Sequence, residues 1–240
     1  MTRTRIDKAK QTVRERVWQL LEQEQAVLPP GVYGRIPNFL GADTATALLT
    51  TLPEWQEART IMATPDKAQL PARTSALAEN KHVYMAVPKL AAPHPFSLLV
   101  PPAPHPLPED TSLPIPARQV AFADLPVIDL VICGSVAVNR YGTRIGKGAG
   151  YFDIELALLQ EASLLRPQTT ILTTVHPLQV LNEPLPTTAH DFSIDLIITP
   201  DEIITYHPPQ RPKGLIWEHL TKEKIAAIPA LADRAPQHPT

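Results

Sequence analysis

The sequence predicts an α/β fold in which helices cover a parallel or mostly parallel sheet. Short apolar runs rich in β-branched residues alternate with helical patterns, which is typical of such a sheet. A chain of 240 residues with 44% apolar and 19% charged residues can bury one sizeable core, and its length is compatible with one large domain or two small ones. Its single cysteine excludes an internal disulfide framework, and the sequence contains no internal repeat.

The first half of the chain is predicted to contain three helices and two strands. Apolar residues at helical spacing predict helices over 7–25 and 42–52, the second ended by Pro53. A buried strand is expected at 59–63, followed by a helix over 71–79 and a second buried strand at 82–87, which Pro88 closes.

Proline dominates the middle of the chain. Ten of the 28 prolines lie from Pro88 to Pro116, a density that excludes helix interiors and central strands. We therefore expect an extended crossing of the surface over residues 88–116. Two interpretations stay open: a connector laid over the fold, or a ligand for a proline-binding module, although no basic flank accompanies it.

The second half resumes the alternation of strands and helices. Strands are predicted at 130–133, 170–175 and 196–200, and a helix over 154–164 follows a glycine-rich loop. A final helix is expected over 218–228, and residues 235–240 are expected to be frayed.

Charge and hydropathy exclude several classes of protein. The 22 Lys and Arg residues nearly balance the 24 Asp and Glu residues, so no nucleic-acid partner is expected. No run approaches the ~20 apolar residues of a membrane span, and the charged start of the chain does not resemble an export signal. We expect a soluble cytoplasmic protein, monomeric or a small homo-oligomer, with no membrane partner.

The clearest functional feature is a glycine-rich loop. Four of the nine glycines lie from Gly142 to Gly150, in a chain with about half the usual glycine share. Such a loop turns with positive φ and directs successive N–H groups at an anion. Arg144 and Lys147 add positive charge, and a helix beginning near Tyr151 adds its dipole. The pattern indicates a phosphate site, although neither standard nucleotide fingerprint is present; the alternative is a flexible loop with ordinary surface charges.

Other polar residues allow a functional and a structural interpretation. Asp153 suits a Mg²⁺ ligand, or is a carboxylate that only complements the helix dipole. His176 and His190 have no zinc-site spacing around them and are expected to be loop histidines. Cys133 lies in an apolar strand and is expected to be an inert core thiol.

The loop from Arg144 to Asp153, R-I-G-K-G-A-G-Y-F-D, resembles the R-L-G-x-G-x-G-Y-Y-D loop of the 5-formyltetrahydrofolate cyclo-ligases, also called methenyltetrahydrofolate synthetases. Lys10-Gln-Thr-Val-Arg14 is similar to their K-x-x-L-R, residues 81–88 to their K-x-V-x-x-P strand, and residues 190–199 to their D-x-x-x-D segment. The resemblance covers most of the chain outside the proline-rich crossing and the extreme C-terminus. It implies a single three-layer, Rossmann-like α/β domain spanning residues 1–240.

The resemblance implies an enzyme that uses ATP and Mg²⁺ to convert 5-formyltetrahydrofolate into 5,10-methenyltetrahydrofolate. The γ-phosphoryl group passes to the formyl oxygen, and ring closure by N10 releases phosphate. By the same resemblance the catalytic residues are Arg144, Lys147 and Tyr151. The ATP-binding residues are Lys10, Arg14, Arg144, Gly146, Lys147, Gly148, Gly150, Tyr151 and Phe152. The substrate side comprises Asp66, Lys147, Gly148, Gly150 and Tyr151, and the Mg²⁺ ligands are Asp153 and Asp195.

Without the resemblance, Lys10 and Arg14 are typical of a solvated helix face, and Asp195 of a strand-edge cap. The sequence also departs from the family pattern. Residues 133–139 replace the usual P-G-x-A-F-D, Ala149 replaces a lysine or glycine, and Ile154-Glu155 follows the aspartate where arginine is common. Two alternatives therefore stay open: an ATP-binding paralogue acting on another heterocycle, such as a thiamin-related one, and a non-catalytic nucleotide-binding module.

Overall fold

An eight-stranded sheet organises the chain over residues 3–100, 116–207 and 209–236, which the computed structural model describes. The strands in chain order are β1 (Thr60–Ala63), β2 (His82–Ala86), β3 (Phe96–Leu99), β4 (Ala117–Val120), β5 (Ile128–Cys133), β6 (Ala137–Asn139), β7 (Arg144–Ile145), β8 (Leu165–Thr174), β9 (Val180–Leu181), β10 (Leu196–Ile198) and β11 (Ile203–Thr205). The helices are α1 (Arg3–Gln23), α2 (Ala42–Thr50), α3 (Pro53–Glu57), α4 (Leu70–Ala78), α5 (Tyr151–Glu161), α6 (Lys222–Ala227) and α7 (Pro229–Ala232).

The strand order across the large sheet is β11-β10-β8-β5-β1-β2-β3-β4. The five strands from β10 to β2 are mutually parallel. Antiparallel pairing adds β11 at one side and β3 with β4 at the other. Strands β6, β7 and β9 form a separate small sheet. The predicted mostly parallel sheet is therefore confirmed.

Both faces of the large sheet are buried. Leu130 of β5 packs in one core cluster with Val17 of α1, Leu49 of α2 and α4 residues, whereas the adjacent Val131 packs in a second cluster with Leu156 of α5. A strand covered on both sides consists almost entirely of apolar residues, which explains the run from Ile128 to Cys133. This arrangement confirms the predicted α/β class.

The strand order reverses between β1 and β5. From β1 the chain adds β2 on one side, whereas β5, β8 and β10 extend the sheet on the other. In open α/β sheets, ligands bind at such a switch point, outside the carboxyl ends of the strands. Here that position is occupied by residues 64–66 after β1 and by Gly134 after β5.

The structure corrects the predicted surface crossing for residues 96–99. These residues form β3, which pairs with both β2 and β4, and its end residues Phe96 and Leu99 are buried. Prolines flank β3 without interrupting it, since none lies between Pro95 and Pro101, so its N–H groups can pair. Residues 101–115 lie outside the described residues, as do 237–240 of the expected frayed tail.

Proline also explains two differences in the helices. Pro53, expected only to end a helix, occupies the first turn of α3, where its missing N–H costs nothing. The helix expected over 218–228 is shorter, α6 over Lys222–Ala227, and Pro229 begins a separate short helix, α7. In the part of the chain that the structure describes, no helix has the length and apolar character needed to cross a membrane.

Candidate active site

A groove of about 550 Å³ lies beyond the carboxyl ends of β1 and β2. Its walls come from α1, the segments after β1 and β2, the glycine-rich loop with the start of α5, residues 190 and 191, and α6. Every residue that the sequence assigns to ATP or to the substrate lines this groove, and so does Asp153. Of the predicted site residues, Asp195 is the exception. Residues that are up to 143 positions apart in sequence, from Lys10 to Asp153, therefore meet at one site.

The glycine-rich loop leads from β7 into α5 along one side of the groove. Gly148 and Gly150 have φ values of 98° and 70°, in the left-handed region that favours glycine. Gly150 precedes α5, and no side chain caps this end of the helix. Because the first N–H groups of a helix have no intrahelical partner, the loop and helix start form a site suited to an anion.

Two arginines hold the loop in place. Arg14 Nε donates to the Gly146 carbonyl at 2.7 Å, and burial lowers the pKa of the Arg14 guanidinium. Arg144 Nε and Nη2 donate to the Gly134 carbonyl at 3.1 and 2.8 Å, and its guanidinium carbon lies 4.3 Å from the centre of the Phe152 ring. Arg144 thereby joins the glycine loop to the end of β5, at the switch point of the sheet.

Lys10 and two carboxylates form one end of the groove. Lys10 Nζ lies 2.8 and 2.6 Å from the two carboxylate oxygens of Asp191, and only 7% of Lys10 is exposed. Asp153 accepts the backbone N–H of Phe192 at 3.3 Å, and burial raises its pKa against the opposing effect of Arg144. Lys10 is thus a paired cation of the site instead of part of a solvated helix face.

Asp195 lies in the sheet and does not line the groove. Its carboxylate accepts the backbone N–H of Ile171 in β8 at 2.7 Å and pairs with Arg211. Burial raises its pKa, and Arg211 opposes that shift. These partners match the strand-edge interpretation of Asp195. Asp191, four residues earlier in the same segment, is the one of the two aspartates that lines the groove.

The donor set can be tested against Mg²⁺ chemistry. Over residues 3–100, 116–207 and 209–236, no cluster of three or more His, Cys, Asp or Glu side chains is arranged to hold a metal ion. Magnesium in phosphate-transfer sites is usually held by one or two carboxylates together with substrate phosphates and water. Asp153 and Asp191 supply that smaller donor set, whereas Asp153 and Asp195 do not meet in the groove.

Acidic side chains line the groove near the end of β5. Lys147 Nζ lies 3.4 Å from Asp66 Oδ1, and a Cβ atom on Gly134 would come within 2.8 Å of Asp66 Oδ2. Asp66 therefore sits against the glycine that ends β5. Glu155 of α5 lines the same groove with 5% of its surface exposed, and burial raises its pKa to about 8, an effect that Asp66 reinforces and Arg144 opposes.

Sequence reasoning missed Asp191 and Lys224 and noted Glu155 only as a departure from the family pattern. Asp191 is the first aspartate of the D-x-x-x-D segment, so this segment could have identified it as a groove residue. Lys224, from α6, donates to the Ala149 carbonyl at 2.6 Å, and nothing in its charged surroundings distinguishes it in the sequence. His176 caps a turn by accepting the Leu178 N–H, as expected for a loop histidine.

These features define a class: an α/β protein with a groove suited to an anion at the switch point of its sheet. The chain belongs to the 5-formyltetrahydrofolate cyclo-ligase family, whose model matches residues 6–200.

Relatives of known name agree with this family. The chain is 35% identical over 233 residues to the mouse (Mus musculus) methenyltetrahydrofolate synthase domain-containing protein, covering 93% of this chain and 62% of that protein. It is 32% identical over 94 residues to the mitochondrial 5-formyltetrahydrofolate cyclo-ligase of Arabidopsis thaliana, covering 38% of this chain and 34% of that protein. The chain spans about three fifths of the length of the domain-containing relatives.

The fold is also shared with a solved structure. The NMR structure of Aquifex aeolicus 5,10-methenyltetrahydrofolate synthetase superimposes with a TM-score of 0.54 at 20% identity, covering 90% of this chain and 99% of that one. This likeness supports the α/β fold of the chain. Because the Arabidopsis relative is mitochondrial, the expected cytoplasmic location stays a prediction.

Proposed function

We propose that the chain is an ATP- and Mg²⁺-dependent cyclo-ligase that converts 5-formyltetrahydrofolate into 5,10-methenyltetrahydrofolate. One observation carries the proposal: the residues that the family pattern assigns to ATP and to folate line a single groove. The family match over residues 6–200 supports the same reaction class.

The cationic side of the groove suits the phosphates of ATP. Phosphoryl transfer depends mainly on positioning and on neutralising the charge that spreads over the transferred group. Arg14 donates to the Gly146 carbonyl of the glycine loop and Arg144 donates to the Gly134 carbonyl after β5, so their charges are fixed before a ligand arrives. When bound, Mg²⁺ would supply further neutralisation of phosphate charge, held by Asp153 and Asp191.

The acidic side suits the heterocycle. Lys147 of the glycine loop lies 3.4 Å from Asp66, and Tyr151 lines the same groove, so both are placed to contact the formyl oxygen when it meets the γ-phosphate. A Glu155 carboxyl with a pKa of about 8 is protonated at neutral pH and so can donate a hydrogen bond to a ligand, which favours a polar but uncharged ring edge.

The test is a coupled assay of ADP release with and without 5-formyltetrahydrofolate, monitored together with methenyl product. We expect ADP release only when the folate is present, in equal amount with product. Replacing Arg14 with methionine should raise the KM for ATP about tenfold or more, because a charged hydrogen-bonding group is lost. Arg16→Met is the matched control, since Arg16 lies two residues away on α1, is exposed and pairs with Glu183. ATP binding without product formation would reject the folate reaction.

A second candidate is an ATP-using enzyme that acts on another heterocycle, such as a thiamin-related compound. Glu155 favours it, because this buried acid follows Asp153 where the family commonly has arginine. The same assay separates the two candidates: the second predicts ATP binding and no methenyl absorbance. A non-catalytic nucleotide-binding module predicts binding with no turnover of any heterocycle and no difference between wild type and Asp153→Ala.

A further inference from the structure

Residues 64–66 lead from β1 into the groove, and Asp66 is the acid that they present there. Asp66 Oδ1 lies 3.4 Å from Lys147 Nζ of the glycine loop, and 16% of the Asp66 side chain is exposed. Its Oδ2 faces Gly134, where an added Cβ atom would come within 2.8 Å of it. The Asp66 carboxylate therefore lies between the glycine loop and the end of β5.

Two hydrogen bonds attach the beginning of this segment to the end of β5. The Thr64 N–H donates to the Ile132 carbonyl at 3.0 Å, and the Gly134 N–H donates to Thr64 Oγ1 at 3.0 Å. The next residue, Pro65, has no N–H group and cannot add a third bond as a donor. Asp66 lies beyond this attachment, two residues further along the chain.

Arg73 of α4 joins the two ends of the segment. Its Nη1 donates to the Thr64 carbonyl at 2.5 Å and to the Asp66 carbonyl at 3.0 Å, so one nitrogen bridges the carbonyls on both sides of Pro65. Hydrogen bonds from a charged donor are roughly twice as strong as those between neutral groups. Arg73 is 6% exposed, and burial lowers its pKa to about 10, a shift that Asp66 opposes. A buried cation thus fixes the backbone that carries Asp66.

Helix α4 gives Arg73 a fixed base outside the groove. Ala72 and Ala76 of α4 are fully buried and belong to the core cluster that contains Ile132 of β5. Arg73 itself does not line the groove, whereas Asp66 does. Any effect of Arg73 on a bound ligand must therefore pass through the segment that ends at Asp66.

We propose that Arg73 is a positioning residue that fixes the Asp66 carboxylate in the groove and thereby sets the affinity for the heterocycle. A carboxylate only accepts hydrogen bonds, so one that is held in place favours a ring edge that presents N–H donors. Fixing it before the ligand binds lowers the cost of ordering the site. The inference rests on the proposed function for the identity of the heterocycle as 5-formyltetrahydrofolate.

The experiment is a calorimetric titration of the full chain with 5-formyltetrahydrofolate and, separately, with ATP. Arg73→Met is expected to weaken folate binding about tenfold and to leave ATP binding within about threefold of wild type, because the change acts through Asp66. Arg73→Lys should stay within about threefold for both ligands, since an ammonium has donors for both carbonyls. Lys67→Met is the matched control: Lys67 is exposed beside Asp66, so the variant removes an equal charge and should bind folate as wild type does.

A double variant separates positioning from a general structural role. If Arg73 acts through Asp66, Arg73→Met should weaken folate binding no further once Asp66→Asn is present. Additive losses in the double variant would overturn the inference, as would wild-type folate affinity in Arg73→Met or an equal loss of ATP affinity. Thermal unfolding without ligand checks the fold of each variant. Arg73→Gln, whose side chain is too short to bridge both carbonyls, carries the test if Arg73→Met does not fold.

Hydrogen exchange of the ligand-free protein tests the positioning without folate. Arg73→Met should speed exchange of the Gly134 N–H, which donates to Thr64 Oγ1, about tenfold or more. The Ile194 N–H, which donates to the Gly142 carbonyl at 2.8 Å, should exchange as in wild type. Unchanged exchange at Gly134 would overturn the inference whatever the folate result. A wild type that binds no 5-formyltetrahydrofolate would reject the proposed reaction alone, and the exchange comparison would then decide the role of Arg73.

Discussion

Replacement of Glu155 by glutamine tests whether the groove contains a neutral carboxylic acid. Glu155 is 5% exposed on α5, and burial raises its pKa to about 8, with Asp66 reinforcing and Arg144 opposing the shift. Glutamine has nearly the same volume, keeps a hydrogen-bond donor and does not titrate. The variant therefore removes one proton equilibrium and leaves the packing of α5 in place.

The sign and size of the effect follow from the two protonation equilibria. Between the ordinary glutamate pKa of 4.5 and the folded value of about 8, the folded protein binds a proton that the unfolded chain has lost. The free energy of unfolding must then fall as the pH rises through this window. At about 1.4 kcal/mol for each pH unit, the loss approaches about 4 kcal/mol between pH 5 and pH 8, and it ends above the folded pKa.

The measurement is urea unfolding of wild type and Glu155→Gln near pH 5 and near pH 8. We expect the variant to gain stability relative to wild type by a few kcal/mol at the higher pH. Glu57→Gln on α3 is the control, because Glu57 is exposed and its replacement should shift stability equally at both pH values. If the free energies of unfolding of wild type and variant differ by the same amount at both pH values, Glu155 is not a buried, protonated acid.

Two further predictions separate structure from function. Asp153→Asn should lower turnover about 100-fold and weaken its Mg²⁺ dependence, whereas Asp195→Asn should leave that dependence unchanged and lower the free energy of unfolding by about 1–3 kcal/mol. Kinetics at varied Mg²⁺ and urea unfolding measure both, and equal Mg²⁺ defects would contradict the assignment. Gly142→Ala should destabilise the fold by more than Gly34→Ala. Both glycines have a φ of 72°, but only a Cβ atom on Gly142 would clash, 2.6 Å from the Ile194 carbonyl oxygen. Thermal unfolding compares the two variants, and equal losses of stability would mean that backbone strain alone explains both.

Local sequence patterns predicted the features that depend on neighbouring residues. The alternation of apolar strands and helices predicted the parallel sheet, and the glycine loop predicted an anion site at the start of α5. Strand β3 was missed because the proline count was averaged over 88–116, although the four residues of β3 contain none. Proline restricts pairing residue by residue, so its spacing matters more than its density.

Features that depend on distant partners could not be predicted in the same way. Asp191 and Asp195 are identical side chains in one short segment, so the sequence alone does not separate their roles. Their partners do: Asp191 pairs with Lys10 in the groove, whereas Asp195 pairs with Arg211 beside the sheet. Lys224 comes from a helix with no motif, and the packing of Ile228 on α5 brings it to the loop. Such contacts are decided by tertiary packing, which the local pattern does not encode.

Glu155 is a groove residue whose acid the family pattern does not supply. Because burial raises its pKa to about 8, Glu155 is protonated at neutral pH and adds no negative charge beside a bound ligand. Raising the pH above about 8 would ionise Glu155 and oppose any anionic group placed beside it. Discrimination among heterocycles should therefore depend on Glu155 and on pH.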